Sequence, residues 1–320
     1  MWKTTLLLAA ALQLPAVEVH STRSPVDKSY RKMLQGMDRF ERDHALAPQA
    51  SLRFRLLPRQ PGMPLQGITL KVVGDTSSMP VPIAADHSFT LARNEQLWRE
   101  DAALLANRKT LTMTWRAEVR SPGVPEGMRR LGDLRLECLV GMTAGLVSNN
   151  ARLFAWLGEL LATPDRVCHA PDGNYLFFTE RPLFAVHLHA GARHATLSWR
   201  SLYAGGLTPD SELPYCDCQV LLDRSYYAPI WDATWPDDTL LSFEYMDDPV
   251  PPDAAGAPGI EAGQDRSAVQ AKLGVGTEVR FLSGMFAWLY PPGPPSTEPR
   301  PHYWVLFDAS GHVLKSRAVR

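Results

Sequence analysis

From Leu52 to Leu56 the chain alternates apolar and charged residues, Leu-Arg-Phe-Arg-Leu. This is the two-residue period of a strand with one face on a core and the other in water. Similar runs recur at 68–73, 88–91, 111–120 and 134–140, and Gly74-Asp75 and Ser121-Pro122-Gly123 supply turn chemistry between them. Short strands at this spacing predict an antiparallel, sandwich-like body. Two stretches carry the helical period instead. Ser24-Pro25 offers a cap and a first-turn proline, and Val26, Tyr30, Met33, Met37 and Phe40 then form one apolar stripe, expected to pack on the protein's own body. Asn150 is positioned to cap a second helix, with Leu153, Phe154, Trp156, Leu157, Leu160 and Leu161 on a broad apolar face and Pro164 as its stop. Further strands are expected at 177–178, 184–189 and 195–199.

The pattern breaks at 247–259, Asp-Asp-Pro-Val-Pro-Pro-Asp-Ala-Ala-Gly-Ala-Pro-Gly, where proline removes donors and fixes φ, so a linker is expected. Beyond it the sequence predicts one helix and three strands. Asp265 suits an N-cap, Val269 and Leu273 share a face, and Gly274 suits the left-handed position that ends the helix. Strands are expected at 281–290 and 302–307, followed by a turn at Asp308-Ala309-Ser310-Gly311 and a last short strand at Val313-Leu314.

The fold class read from this pattern is α+β: a β-rich antiparallel body with two helices, and a small C-terminal α/β module of a helix and a three-stranded antiparallel sheet. The expected division is a signal peptide at 1–21, an amphipathic helix at 22–48, a sandwich-like domain at 49–145, a helix and second β-rich region at 146–246, the linker at 247–259 and the module at 260–320. Lys3 followed by the apolar stretch 4–14 and Pro15-Ala16 reads as an export signal, too short to span a bilayer. A soluble periplasmic protein with no transmembrane span is therefore expected. Charge agrees with this and points away from nucleic acid: 33 Lys and Arg against 34 Asp and Glu leave no field to attract a polyanion.

The C-terminal residues resemble the SmpA/OmlA (BamE-like) family of outer-membrane β-barrel assembly lipoproteins. Gly263, Asp265, Val269, Leu273, Gly274, Trp288, Tyr290, Phe307 and Gly311 fall in order on the family's pattern of a capped helix, a Leu-Gly pair, an aromatic-x-Tyr strand and a Phe-x-x-x-Gly hairpin. The chain departs from it at Ala268, where a polar residue is usual, at Gly276, where a Pro is usual, and in having no Cys before Cys138 to carry a lipid anchor. The resemblance implies a non-catalytic binding or scaffolding role in envelope assembly or maintenance. Its expected partners are barrel-assembly components, other envelope proteins or lipid headgroups, and its contact surface would be Trp288, Leu289 and Tyr290 with Phe307, Asp308 and Gly311. The stretch from Asp86 to Leu91 also resembles, in architecture only, the Asp-x-x-Gly-x-Phe hairpin of bacterial transthyretin-like and carboxypeptidase-regulatory-like modules, without that hairpin's Gly.

Four cysteines, Cys138, Cys168, Cys216 and Cys218, in an exported chain imply disulfides. A Cys216–Cys218 ring would be strained, so bonds tying Cys138 or Cys168 to the 216–218 segment are favoured. His187 and His189 share a strand face, and a hairpin through Gly191-Ala192 returns His194 toward them. This arrangement suggests Zn or Cu, with Cys216, Cys218 or Asp217 to complete the site, and Cys216-Asp217-Cys218 by itself offers redox or metal chemistry as the alternative to disulfides. No cofactor is otherwise predicted. Aromatic and acidic residues mix around Trp231-Asp232, Trp235, Asp237-Asp238 and Glu244–Asp248, which suggests either a sugar- or cation-binding surface or loops anchored in the core. No nucleophile elbow, HExxH helix, phosphate loop or dinucleotide fingerprint is present. Two alternatives stand beside the binding role: a periplasmic enzyme inhibitor, since β-lactamase-inhibitor proteins are built from similar helix-and-sheet units, and a metal-binding protein or metalloenzyme.

Overall fold

The computed structural model describes residues 28–58, 62–108, 112–146, 163–171, 175–205, 221–252, 254–290 and 301–319. The expected signal peptide, the Ser24-Pro25 helix start, the helix after Asn150, and Cys216, Asp217 and Cys218 lie outside these residues. In chain order the first half contains β1 (Lys28–Ser29), α1 (Tyr30–Arg42), β2 (Ser51–Pro58), β3 (Leu70–Val73), β4 (Ser78–Val81), β5 (Ser88–Phe89), α2 (Glu95–Arg99), β6 (Ala103–Ala106), β7 (Met113–Arg120), β8 (Arg129–Arg130) and α3 (Leu131–Thr143). There follow α4 (Pro164–His169), β9 (Phe177–Phe178), β10 (Leu183–Ala190), β11 (Arg193–Thr196), β12 (Ser225–Tyr226) and β13 (Leu240–Tyr245). The chain closes with α5 (Arg266–Leu273), β14 (Thr277–Arg280), β15 (Phe286–Tyr290), β16 (His302–Phe307) and β17 (Val313–Val319). Among the described residues all strand pairs are antiparallel, so the α+β, strand-rich class holds.

The alternating run at 134–140 is not a strand but the middle of α3. Its alternation misleads because this helix is buried on nearly every side, and a helix covered all round has no polar face to show its period. Leu136, Val140 and Ala144 enter one core with α1, β2 and β7, whereas Leu131, Leu134, Cys138 and Leu139 enter a second core with β10 and β13. α3 is thus the partition between two cores. Its charged residues find fixed partners: Asp133 accepts from Ser121 N–H and Oγ, Glu137 accepts from Val119 N–H and from Arg129, and Arg135 donates to the carbonyls of Ile230, Asp232 and Trp235. α1 can lie close against it because Gly36 faces Ala144, where a Cβ would come within 2.7 Å of the Ala144 methyl.

β2 and β7 pair over eight residues, Ser51 with Arg120 through Pro58 with Met113. On β7, Met113, Trp115, Ala117 and Val119 enter the first core, and the polar side that alternation assigns to water is covered as well: Thr114, Arg116 and Glu118 are buried. The first described helix begins at Tyr30, with Ser29 as its cap. Pro164 opens α4 behind a Thr163 cap, since a proline in the first turn forfeits no helical hydrogen bond.

The disulfide joins Cys138 of α3 to Cys168 of α4, with Cα atoms 5.9 Å apart. This corrects the expectation that either residue would be tied to the 216–218 segment, and the pairing follows from α4 packing directly on α3. Arg39 of α1 reinforces the same corner, donating to both oxygens of Asp165.

The C-terminal sheet is a meander in the order β14-β15-β16-β17, one strand more than expected, because Thr277–Arg280 pairs with Phe286–Tyr290 and the last strand extends to Val319. Local chemistry matches the sequence closely. The Asp265 carboxylate accepts from Ala268 N–H, Gly274 ends α5 at φ 76°, and Asp308 accepts from Ser310 and His312 N–H in the final turn. Both faces of the sheet are covered. Phe286, Trp288, Val305, Phe307 and Val313 pack with Val269 of α5, whereas Ala287, Leu289, Trp304 and Leu306 join the core containing β10 and β13. The indoles lock this seam, with Trp304 Nε1 donating to Phe184 O and Trp199 Nε1 to Tyr290 O, both at 3.2 Å. The described residues of the proline-rich stretch have neither helix nor strand, but its end is fastened to β17: Ala318 N–H donates to Ala255 O and Ala257 N–H to Ser316 Oγ.

Candidate functional site

The strand expected to meet a partner is inside the protein. Trp288, Leu289 and Phe307 are fully buried, and the Trp288 indole donates to Glu278 at 3.0 Å. Tyr290 is half-buried with its hydroxyl on Gly274 O, and Asp308 and Gly311 shape the turn. The expectation of an exposed contact strand is therefore corrected. The C-terminal sheet has a body behind it as well as a helix in front, so both sets of alternate side chains are covered.

The histidine face is assembled as the alternation requires. β10 pairs with β11 so that His187 lies opposite Thr196 and His189 opposite His194, and with β13 so that His187 lies opposite Ser242. His189 is central: its Nδ1 is 3.0 Å from His194 Nδ1 and its Nε2 is 2.8 Å from Ser242 Oγ. With Ser242 donating to Nε2, the Nδ1–H of His189 donates to His194. His187 turns aside, with Nδ1 2.9 Å from Thr196 Oγ1 and Nε2 3.8 Å from Glu244. Two of the three histidines thus meet and the third serves another network. Among the described residues no group of three or more His, Cys, Asp or Glu side chains is disposed to hold a metal ion, so the three-histidine Zn or Cu arrangement is not formed.

Behind His187 lies a charge cluster that strand patterning did not single out. Glu244 of β13 meets Lys315 and Arg317 of β17, all three buried, with Lys315 Nζ also 2.6 Å from Tyr245 O. Both cations lie over the Phe184 ring. Burial raises the Glu244 carboxyl, but His187, Arg317 and Lys315 together outweigh it and hold it below the ordinary range, while burial lowers Lys315 against the pull of Glu244. The only sequence signal was Lys315 and Arg317 spaced by two on a strand, which fixes them to one face.

Two hollows flank this face. A cavity of about 360 Å³ is lined by His187, His189, His194, Thr196 and Val319. A larger one of about 510 Å³ is lined by residues including Arg200, Tyr227, Trp231, His302, Thr196 and Val319. Thr196 and Val319 border both, so the two hollows lie side by side along the seam between β11 and β17 and are together called the groove. Trp231, 43% exposed, is the large apolar side chain at its rim. Two other members of the aromatic and acidic stretches serve as anchors: Trp235 is buried under the Arg193 guanidinium, and Asp237 pairs with Arg135.

The histidines of the groove are expected to make the protein sensitive to acid. His189 is lowered from its ordinary value by burial and then by His194 and His187, and His302 is lowered by burial and then by Arg200. Below about pH 6.5 the unfolded chain takes up these protons more readily than the folded one, so stability falls as pH drops through the depressed folded values. The urea midpoint is expected to decline between about pH 7 and about pH 5, where carboxylates are still largely ionised, and to decline less in His302→Gln. A midpoint constant over this range would contradict the assignment.

No family model matches the chain, and no curated protein and no solved structure matches it.

Proposed function

We propose that the protein is an exported, periplasmic binding or scaffolding protein of the cell envelope. The groove between β11 and β17 carries this reading: it is a concave surface on which apolar and aromatic side chains (Tyr227, Trp231, Val319) are mixed with about as many polar ones, Arg200, His302 and the histidine pair among them, so it offers both contact area and groups that can orient a ligand. The Cys138–Cys168 bond supports an oxidising compartment. The likeness of the C-terminal module to SmpA/OmlA proteins supports envelope partners, barrel-assembly components or lipid headgroups among them, at the level of fold analogy. With Trp288, Leu289 and Phe307 inside, the groove replaces them as the surface a partner meets.

The test is a photo-crosslinking residue at Trp231 in intact cells, with the same residue at exposed Lys71 as control. A discrete adduct with an identified envelope component, absent from the Lys71 control, is the expected result. Adducts no different from the control would overturn the reading.

One observation favours a second reading. The Ser242–His189–His194 chain places a hydroxyl on a neutral imidazole whose other nitrogen is also held, the relation of nucleophile, base and orienting group in serine acyl-transfer enzymes. Fluorophosphonate labelling lost in Ser242→Ala would support it, and an unlabelled wild-type protein would remove it.

A further inference from the structure

The C-terminal sheet treats its two edges differently. β17 is closed by the preceding segment: Ala318 N–H donates to Ala255 O, Val313 N–H to Gln264 O, and Gly263 N–H to Val313 O. β14, at the other edge, pairs with β15 on one side, and among the described residues nothing pairs with its outer side. Phe281 N–H donates to Met285 O, which fixes the alternation: residues 277 and 279 bond inward to β15, and the N–H and C=O groups of Glu278 and Arg280 point outward. Sheets normally blunt such an edge with proline, lysine or a cover, as Pro80 does on the outer strand β4.

We infer that β14 is a self-association edge, pairing antiparallel with β14 of a second copy of this chain about a two-fold axis at Val279. The outward backbone groups dictate this register. With the axis there, Glu278 stands opposite the second copy's Arg280 as a hydrogen-bonded pair, and Arg280 opposite its Glu278, giving four backbone bonds across the axis. The same register sets opposite charges face to face twice, and such cross-strand pairs are favourable. Arg280 is 70% exposed, whereas Glu278, 21% exposed, already holds Arg280, Arg266 and the Trp288 indole within its own chain, so the cross-strand pairs form by exchanging Arg280 for its counterpart in the second copy.

The strand ends fit as well. Val275 and Leu282, 66% and 65% exposed, are two of the four exposed large apolar side chains among the described residues, and they flank β14 at opposite ends. Antiparallel pairing sets position 275 opposite 283 and 282 opposite 276, so Val275 of each copy comes beside Leu282 of the other. A parallel or shifted pairing joins neither the charges nor these apolar ends. An isologous contact of this kind closes at two copies and leaves no further edge for growth. The inference stands whether or not the groove takes an envelope partner, because the two surfaces share no residue.

The test is sedimentation velocity of the full chain from about 1 to about 200 μM, a range suited to a small interface. Wild type, Arg280→Lys and Arg280→Glu are compared, and amide exchange at 278 and 280 is followed with concentration. Wild type and Arg280→Lys are expected to pass from monomer to dimer while the Glu278 and Arg280 amides gain protection. Arg280→Glu turns both charge pairs repulsive and is expected to weaken the dimer about tenfold or more, while loss of the exposed pair with Glu278 inside the chain shifts the monomer's thermal midpoint only slightly. A monomer throughout, a dimer indifferent to Arg280→Glu, or open-ended assembly would each overturn the inference.

Discussion

Replacing Glu244 with Gln is expected to lower stability by about 3–5 kcal/mol, as for other buried ion pairs broken from one side. The substitution keeps the volume but removes the one carboxylate that Lys315 and Arg317 share, leaving two cations 4% and 5% exposed over an aromatic ring. Tyr245 O still accepts from Lys315, whereas Arg317 loses its carboxylate outright. Because β13 and β17 belong to different sheets, the damage falls on the seam that joins the C-terminal sheet to the body. Urea unfolding checks this, and a triple variant with Met at 244, 315 and 317 controls for it. Apolar side chains of similar volume remove the unpaired charges and are expected to recover most of the loss. An unchanged Glu244→Gln midpoint would show that the cluster is solvated.

Removal of the disulfide ranks next. Cys138 and Cys168 are 30 residues apart, and releasing a loop of that size is expected to cost about 3–4 kcal/mol through the freedom regained by the unfolded chain. Cys138→Ala/Cys168→Ala tests this directly, since both sulfurs are buried and little packing volume is lost. α4 has one helical turn and a half, so without the bond its remaining anchor to α1 is the Arg39–Asp165 pair. The double variant is expected to unfold at clearly lower urea, and the wild type to match it when reduced. Equal midpoints for oxidised wild type and the double variant would contradict the assigned bond.

Features set by neighbours in sequence were legible and those set by the whole fold were not. The Asp265 cap, the Gly274 stop and the Asp308–Gly311 turn are local chemistry and appear where the residues place them. The His187–His189–His194 hairpin was equally readable, because a two-residue period and a tight turn determine which side chains share a face. α3 was misread because Arg135 and Glu137, which look like the solvent side of a strand, are satisfied inside the protein by groups up to 102 residues away. Trp288 was expected outside, although Phe286-Ala287-Trp288-Leu289 is apolar at every position, the mark of a strand covered on both faces. The groove was beyond reach, since Arg200, Trp231, His302 and Val319 are brought together only by the docking of one sheet on another.

The C-terminal sheet is a wall of the body, which leaves the groove and the β14 edge, rather than the face of the Trp288 strand, as the surfaces proposed to meet partners. Native-state hydrogen exchange tests it most directly. If Leu289, Trp304 and Leu306 share a core with α3, their amides are expected to open only with those of Leu134, Cys138 and Leu139, at the same free energy and with the same dependence on urea. Exchange of β15 and β16 at a distinctly lower free energy, with α3 still protected, would contradict the account and make the C-terminal residues a separately folding module.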